Sequence, residues 1–531
     1  MCLRGILILL AAAALALPAR AESSSAAEHA QRARQAIARH DLKAAESDLR
    51  QAIALAPQTA EYLATMGVVL GMEQRLQESD DYFEKALRLD PKDAATRRNL
   101  AWNEFELGQL AAAKSNLHLV LKQRQDEPAV LLLGMVDEEL KDYRTAIRLF
   151  ETVPAMVRQR PESMAALARA YYYTDRQPKA REILKELQTR SSDPDGVFLG
   201  GQVAAELHEF ETAESLFKSI SRTYSDAPKL GYNLAMAQYR AGRYRDSEAT
   251  LRGLVEAGHE SSEIYNLLAW CFYKQDDFKA AASTLDKAIA LEPSDETNYL
   301  DGGMMLIEHH LLEGALDAAE KALEVAPDSY RAHRLKALAQ FKLGRINDAE
   351  QMYARAVQLN PADPEGVAGL ATTQADKGDT RLAEETLNKG IERLPRAAIL
   401  YQAYGSMLLW GGRSDNSDAE PRAIQLFQTA LVIDPSLPEP HYQLGKLALR
   451  EDRIRDALQE LEAAVKLDPK SSKNHYGLAQ VYRKLGRTAD AARETQLFQS
   501  LRGKEERLFS SAKAAQGDTA QGSPSPRTSK E

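Results

Sequence analysis

Residues 262–295 read SEIYNLLAWCFYKQDDFKAAASTLDKAIALEPSD, and this stretch decides the fold. It holds two helical patterns around a polar turn. In the first, Leu268 and Phe272 flank Ala269; in the second, Leu285 follows Ala281. A small residue on each helix lets two antiparallel backbones approach closely, while the large side chains fill the flanks. Asp276 in the turn belongs to a residue type that tolerates left-handed backbone. Pro293 closes the stretch, because a residue with fixed φ and no N–H stops the second helix before the next unit begins.

Outward from this unit the pattern repeats with a period of 34 residues. Pro57 and Pro91 are one period apart, as are Pro293, Pro327, Pro361 and Pro395, and again Pro435 and Pro469. The slot of Ala269 is Ala or Gly in all fourteen units, from Ala33 and Gly67 to Gly445 and Ala479. The slot of Ala281 is Ala in twelve units and Ser in two, Ser79 and Ser247. The turn between helices carries Gly108, Gly242, Gly344, Gly378, Gly412 and Gly486, or Asp175, Asp276 and Asp452. The units fall at 26–59, 60–93, 94–126, 127–160, 161–193, 194–227, 228–261, 262–295, 296–329, 330–363, 364–397, 398–437, 438–471 and 472–515.

Tyr265, Leu268, Ala269, Phe272, Ala281, Leu285 and Pro293 together resemble the tetratricopeptide repeat. The resemblance covers nearly the whole chain after its first residues. It implies an all-α fold, a right-handed superhelical solenoid of about fourteen helix-turn-helix units, and a role in binding other molecules. Some repeats of this kind hold a peptide C-terminal carboxylate with Lys, Asn and Arg from three successive units. Asn99 and Asn233 lack the cationic neighbours that this mode needs.

The repeat has departures. Residues 94–260 lack the phased proline, and two second-helix spacings there are 33 residues, which predicts a less regular section or a bend. From Ala383 to Ala423 the spacing is 40, with the extra residues in a polar loop over 413–421 that is either functional or simply tolerated. The last unit runs past Thr495 as a charged amphipathic helix that caps the array. Residues 516–531 are polar and rich in Ser and Pro, the composition of a disordered tail.

Arg4, the apolar run from Ile6 to Leu17, and Ala19-Arg20-Ala21 read as a signal peptide over residues 1–21. The run is shorter than the ~20 residues of a spanning helix, so the expectation is a periplasmic or secreted chain with no integral membrane segment after cleavage. The leader holds two arginines and no acid, so its removal takes the formal charge from −9 to −11. That charge disfavours nucleic acid, which needs a basic stripe. Cys271 is then the one cysteine, expected as a small buried side chain.

No Gly-rich phosphate loop, Cys-x-x-Cys, His-Glu-x-x-His or Gly-x-Ser-x-Gly occurs, so the sequence predicts no enzyme, no catalytic residues and no cofactor. His29, His333, His441 and His475 occupy the slot of Tyr265, Tyr299 and Tyr401, which reads as packing; His40, His208 and His310 fall in the turn slot, and no metal site is expected.

First-helix slots that the packing pattern does not use hold Trp102, Phe105, Met135, Arg169, Tyr172, Phe198, Tyr232, Met236, Tyr239, Trp270 and Tyr273, continuing to Met304 and Phe341. These form a candidate groove for an extended peptide, a helix or a glycan. The alternative is that the rings pack between neighbouring first helices. The functional expectation is an extracytoplasmic protein-binding scaffold; the alternative is an accessory subunit for export or assembly of a surface polysaccharide.

Overall fold

The computed structural model describes residues 24–189, 193–410 and 418–520. The leader expected over 1–21, Gly412, most of the 413–421 loop and the end of the tail lie outside these residues. Among them are 29 helices and no strand. Twenty-eight form fourteen antiparallel pairs, from Ser24–Ala38 with Leu42–Leu55 to Ser472–Lys484 with Thr488–Ala520. The chain divides into two compact bodies, residues 1–260 with seven pairs and residues 261–531 with seven.

Each pair is built the same way. The first helix often starts on an Asp or Ser whose side chain accepts a backbone N–H, as Asp93, Asp126 and Ser329 do. The turn passes through one left-handed residue. Glycine fills it at Gly108, Gly242, Gly344, Gly378 and Gly486, and a non-glycine at Asp175, Asp276 and Asp452, at His40, His208 and His310, and at Gln74 and Lys141. The phased prolines follow directly on the C-cap of the second helix, as Pro293 follows Glu292.

The small slots are the pair's contact line. Ala101, Ala235, Ala269 and Ala337 are fully buried, as are Ala113, Ala281 and Ala349 on second helices. Both serines that replace alanine are buried and bond across the pair: Ser79 Oγ donates to the Gly67 carbonyl at 2.7 Å and Ser247 Oγ to that of Ala235 at 2.8 Å. The side chain sixteen residues on tends to match the small slot in size. Leu49, Leu117, Leu184, Leu251, Leu285 and Leu387 follow Ala33, Ala101, Ala168, Ala235, Ala269 and Ala371, whereas Gly67, Gly134 and Gly201 face Phe83, Phe150 and Phe217; Gly445, which faces Leu461, and Ala337, which shares a core cluster with Tyr353, depart from the pattern. The inserted loop moves the partner of Gly405 to Phe427 and keeps the match. A Cβ on Gly67 would lie 2.6 Å from the Phe83 ring and one on Gly134 2.7 Å from that of Phe150. Gly303 instead receives Leu335 of the following pair, and the larger Tyr353 is accommodated by Gly369.

The 94–260 section is less regular for local reasons. In the fourth pair the second helix, Tyr143–Thr152, stops early, and Pro154 opens the extra six-residue helix Pro154–Gln159. Val153 and Val157 bury themselves there and keep the core continuous. In the sixth pair the second helix, Phe210–Ser219, is equally short, and Ile220 and Tyr224 fill the space beyond it. At the far end Thr488–Ala520 is one helix, so helical backbone continues beyond Gln516, where composition predicts the tail to begin.

Candidate functional site

In the first body the stripe residues have different environments. Trp102 and Phe105 are half-buried on Ala94–Glu106, with ring centres 6.2 Å apart, against the core around Leu117 and Leu133. Met135 packs on the neighbouring core with its sulfur 3.8 Å from Ser163 Oγ. Phe198 lines no surface. It is 1% exposed, stacked on Tyr224 at 4.6 Å and tilted on Phe217 at 5.4 Å, in a pair whose second helix is only ten residues long.

Arg169 is engaged within the chain. It bonds Glu138 at 3.0 Å and Glu206 at 3.3 Å, so three successive first helices, Glu127–Glu139, Pro161–Tyr172 and Pro194–Glu206, are joined by one guanidinium. Burial disfavours its charge, but the two glutamates outweigh that and hold it above the ordinary arginine value. Burial pushes Glu138 up, against the opposing pull of Arg169. Beside this ladder Tyr172 stands edge-on to Tyr173 at 5.6 Å, and Tyr173 stacks on Tyr143 at 5.0 Å while remaining half exposed. Tyr232, Met236 and Tyr239 are half-buried on Ala227–Arg240, with Tyr239 tilted on Tyr244 at 5.4 Å.

In the second body Trp270 is half-buried and edge-on to Tyr273 at 5.6 Å, with the Lys274 ammonium over both rings. Tyr273 is buried and donates to Glu308; burial and that carboxylate push its phenol far above its ordinary value. Cys271 is fully buried.

The second body also holds a cavity of about 420 Å³, lined by the first helices of four successive pairs, Glu296–Glu308, Tyr330–Lys342, Pro364–Lys377 and Ala398–Trp410, and by Tyr353 of the second helix Ile346–Leu359. Met304 and Phe341, the last members of the stripe, line it with Leu300, Leu335, Leu338 and Ile399. Sequence reading passed over its polar lining: Asp301, Arg331, Arg334, Glu365, Gln402 and Ser406. Thr372 lines it too. All occupy first-helix positions outside the packing slots of the repeat frame, which is the signal that marks them in sequence.

The histidines of the tyrosine slot make a recurrent contact. His29, His441 and His475 each meet a carboxylate nineteen residues on, Asp48 at 2.7 Å, Glu460 at 2.6 Å and Glu494 at 2.6 Å. The far ring nitrogen of His475 lies 2.9 Å from the Pro469 carbonyl, the place that the Tyr299 and Tyr401 hydroxyls reach at Pro293 and Pro395. His333 Nδ1 lies 2.9 Å from the Ser329 carbonyl. Among the described residues no cluster of three metal-ligating side chains occurs, and no helix is long and apolar enough to cross a membrane.

Tetratricopeptide-repeat family models match residues 60–93, 232–296, 302–364, 340–404 and 442–497. The chain is 22% identical over 349 residues to the BBSome complex member BBS4 of Bos taurus, covering 65% of this chain and 61% of that protein. It is 24% identical over 360 residues to the Protein CTR9 homolog of Arabidopsis thaliana, covering 61% and 31%, and 26% identical over 156 residues to the Protein O-mannosyl-transferase TMTC1 of Homo sapiens, covering 29% and 18%. The chain thus spans less than two thirds of each of these relatives. Among solved structures, yeast Tom70 aligns with a TM-score of 0.40 at 16% identity over 93% of this chain and 96% of that one.

Proposed function

We propose that this tetratricopeptide-repeat chain is an interaction scaffold that holds a protein partner on the exposed face of its first helices, outside the cytoplasm. The observation that carries the reading is the cavity in the second body, where four successive first helices present apolar side chains beside polar ones. A surface of that kind suits an extended segment, whose side chains enter pockets while its backbone meets polar tips. Relatives named as members of multi-protein assemblies, BBS4 and anaphase-promoting complex subunit 3 of Schizosaccharomyces pombe, favour the same kind of role. The extracytoplasmic place rests on the charged, apolar and small-residue order of residues 1–21.

A second reading, an accessory subunit for surface polysaccharide, has one specific support. The Tyr143–Tyr173 stack with Tyr173 half exposed is an aromatic platform of the sort on which a sugar ring rests. Crosslinking with mass spectrometry in a native envelope extract tests the two. The scaffold reading expects crosslinks from a specific protein to map beside Met304, Arg331 and Phe341, and to vanish in a Met304→Ala, Phe341→Ala variant that keeps its thermal melt. Retention of glycan by the wild type, lost in Tyr173→Ala, would favour the second reading. Recovery of the chain in the cytoplasmic fraction with residues 1–21 still attached would refute the proposed location.

A further inference from the structure

We propose that the second body's cavity recognises an acidic side chain carried on an otherwise apolar, extended segment of a protein partner, and that Arg331 reads the carboxylate. This rests on the scaffold reading and specifies the chemistry of its partner. Arg331 is half-buried in the cavity wall and, among the described residues, makes no hydrogen bond or ion pair. Its neighbours differ. Arg334, one helical turn on, bonds Asp363 at 3.1 Å and also pairs with Glu365. Asp363 in addition accepts the Gly366 N–H at 3.1 Å as a helix cap, and Asp301 accepts from Asn266 Nδ2 at 2.9 Å. Both acids of the cavity wall, Asp301 and Glu365, therefore have a donor, and one guanidinium of the wall is left without an acceptor. A partly desolvated arginine gains most from a carboxylate brought by a ligand, because its planar fork takes two oxygens at once and the charge is then neutralised.

The rest of the wall fixes what carries that carboxylate. Leu300, Met304, Leu335, Leu338, Phe341 and Ile399 call for large apolar groups, and the unbranched thioether of Met304, 38% exposed, adapts to their shape. Thr372, Gln402 and Ser406 are half-buried on the two following first helices and make no bond within the described chain. Hydroxyls and an amide in that position suit the N–H and C=O groups of a peptide that runs on across the pairs. A cavity of about 420 Å³ lies within the ~300–1,000 Å³ range of ligand pockets. Asp301 and Glu365 in the same wall weigh against a polyanion such as nucleic acid, which offers them only like charge.

The test uses the full chain and fluorescence anisotropy with labelled ten-residue peptide libraries, in which one fixed Glu is flanked by randomised apolar residues. Matched libraries replace the Glu by Gln or Lys, and a free aryl carboxylate serves as competitor. The expected result is binding of the Glu library about tenfold or more tighter than the Gln library. Arg331→Gln abolishes that preference, Arg331→Lys restores part of it, and Phe341→Ala weakens the Glu and Gln libraries alike. Thermal melts of the Arg331 variants match the wild type, since that side chain has no partner to lose. Equal binding of Glu and Gln libraries, or a Glu preference that survives Arg331→Gln, overturns the inference while leaving the groove itself standing. Absence of binding by every library also overturns it, and the crosslinking map then decides the scaffold reading separately. A free carboxylate binding as tightly as the peptides would contradict the extended-segment part.

Discussion

Gly67 and Phe83 are a matched pair: the ring of Phe83, fully buried, occupies the space where a Cβ on Gly67 would stand, 2.6 Å from two of its carbons. Repeat seven solves the same problem with Ala235 and Leu251, and both repeats keep a serine, Ser79 or Ser247, bonded to the small residue's carbonyl. In these two repeats one more carbon on the first helix goes with less bulk on the second.

Gly67→Ala therefore destabilises the first body by about 1–2 kcal/mol, because overpacking of about 1–3 kcal/mol exceeds the gain of up to ~1 kcal/mol in helix propensity. Phe83→Leu alone leaves a void and costs about 1 kcal/mol. The double variant recreates the repeat-seven set and should return close to wild type, a coupling of about 2–3 kcal/mol in a double-mutant cycle read by urea unfolding. Additive losses would mean that the size match is incidental.

Asp126 is 6% exposed and takes Arg98 at 2.9 Å, Arg124 at 2.8 Å and the Ala129 N–H at 3.0 Å. Burial raises its carboxyl, but Arg98, the backbone N–H and Arg124 together hold it below the ordinary value. A depressed carboxylate contributes stability that is present above the unfolded value of ~3.9 and is lost as pH falls through the folded one. Asp126→Asn keeps the helix cap but leaves Arg98 partly buried without its counter-charge, at a cost of about 3 kcal/mol near neutrality. The deficit relative to wild type should close below about pH 4 in unfolding curves collected across the acid range.

Asp80 has the opposite sign. Burial, with Glu84 and Asp81 adding to it, pushes its carboxyl up to about 6 against the bond from Asn103 Nδ2 at 2.8 Å. The folded state binds the extra proton between the unfolded value of ~3.9 and about 6, so stability falls as pH rises through that window. Asp80→Asn, neutral throughout and still able to accept from Asn103, should melt higher than wild type at pH 7.5 and equal to it at pH 4. A lower melt at pH 7.5 would contradict the assignment.

Arg331 and Arg334 separate binding from stability. Arg334→Gln leaves Asp363, a nearly buried helix cap, and Glu365 without their cation, and should cost about 1–2 kcal/mol. Arg331→Gln should stay within about 0.5 kcal/mol of wild type. Parallel thermal melts of the two variants check the contrast.

Much of this architecture could be read in advance because close approach of two helices enforces small residues at fixed positions, and fourteen copies make such a rule visible. The left-handed turns at Gln74 and Lys141 were not legible: neither residue type advertises positive φ, and tertiary packing imposes it. Nor was the extra helix Pro154–Gln159, which enters where a second helix ends early. The stripe's frame was legible, but not how deeply each member sits. Phe198 fills a core space left by a short helix, and Arg169 is held by two glutamates from neighbouring pairs. Arg331 escaped notice because what distinguishes it is the absence of a partner, which depends on where every other charge folds.

The most direct test of the central claim is hydrogen exchange of the full chain with and without the crosslinked partner. The account predicts that protection gained on binding concentrates in the first helices Glu296–Glu308, Tyr330–Lys342, Pro364–Lys377 and Ala398–Trp410. Protection confined to the second helices of those pairs, with the cavity-lining helices unchanged, would contradict it.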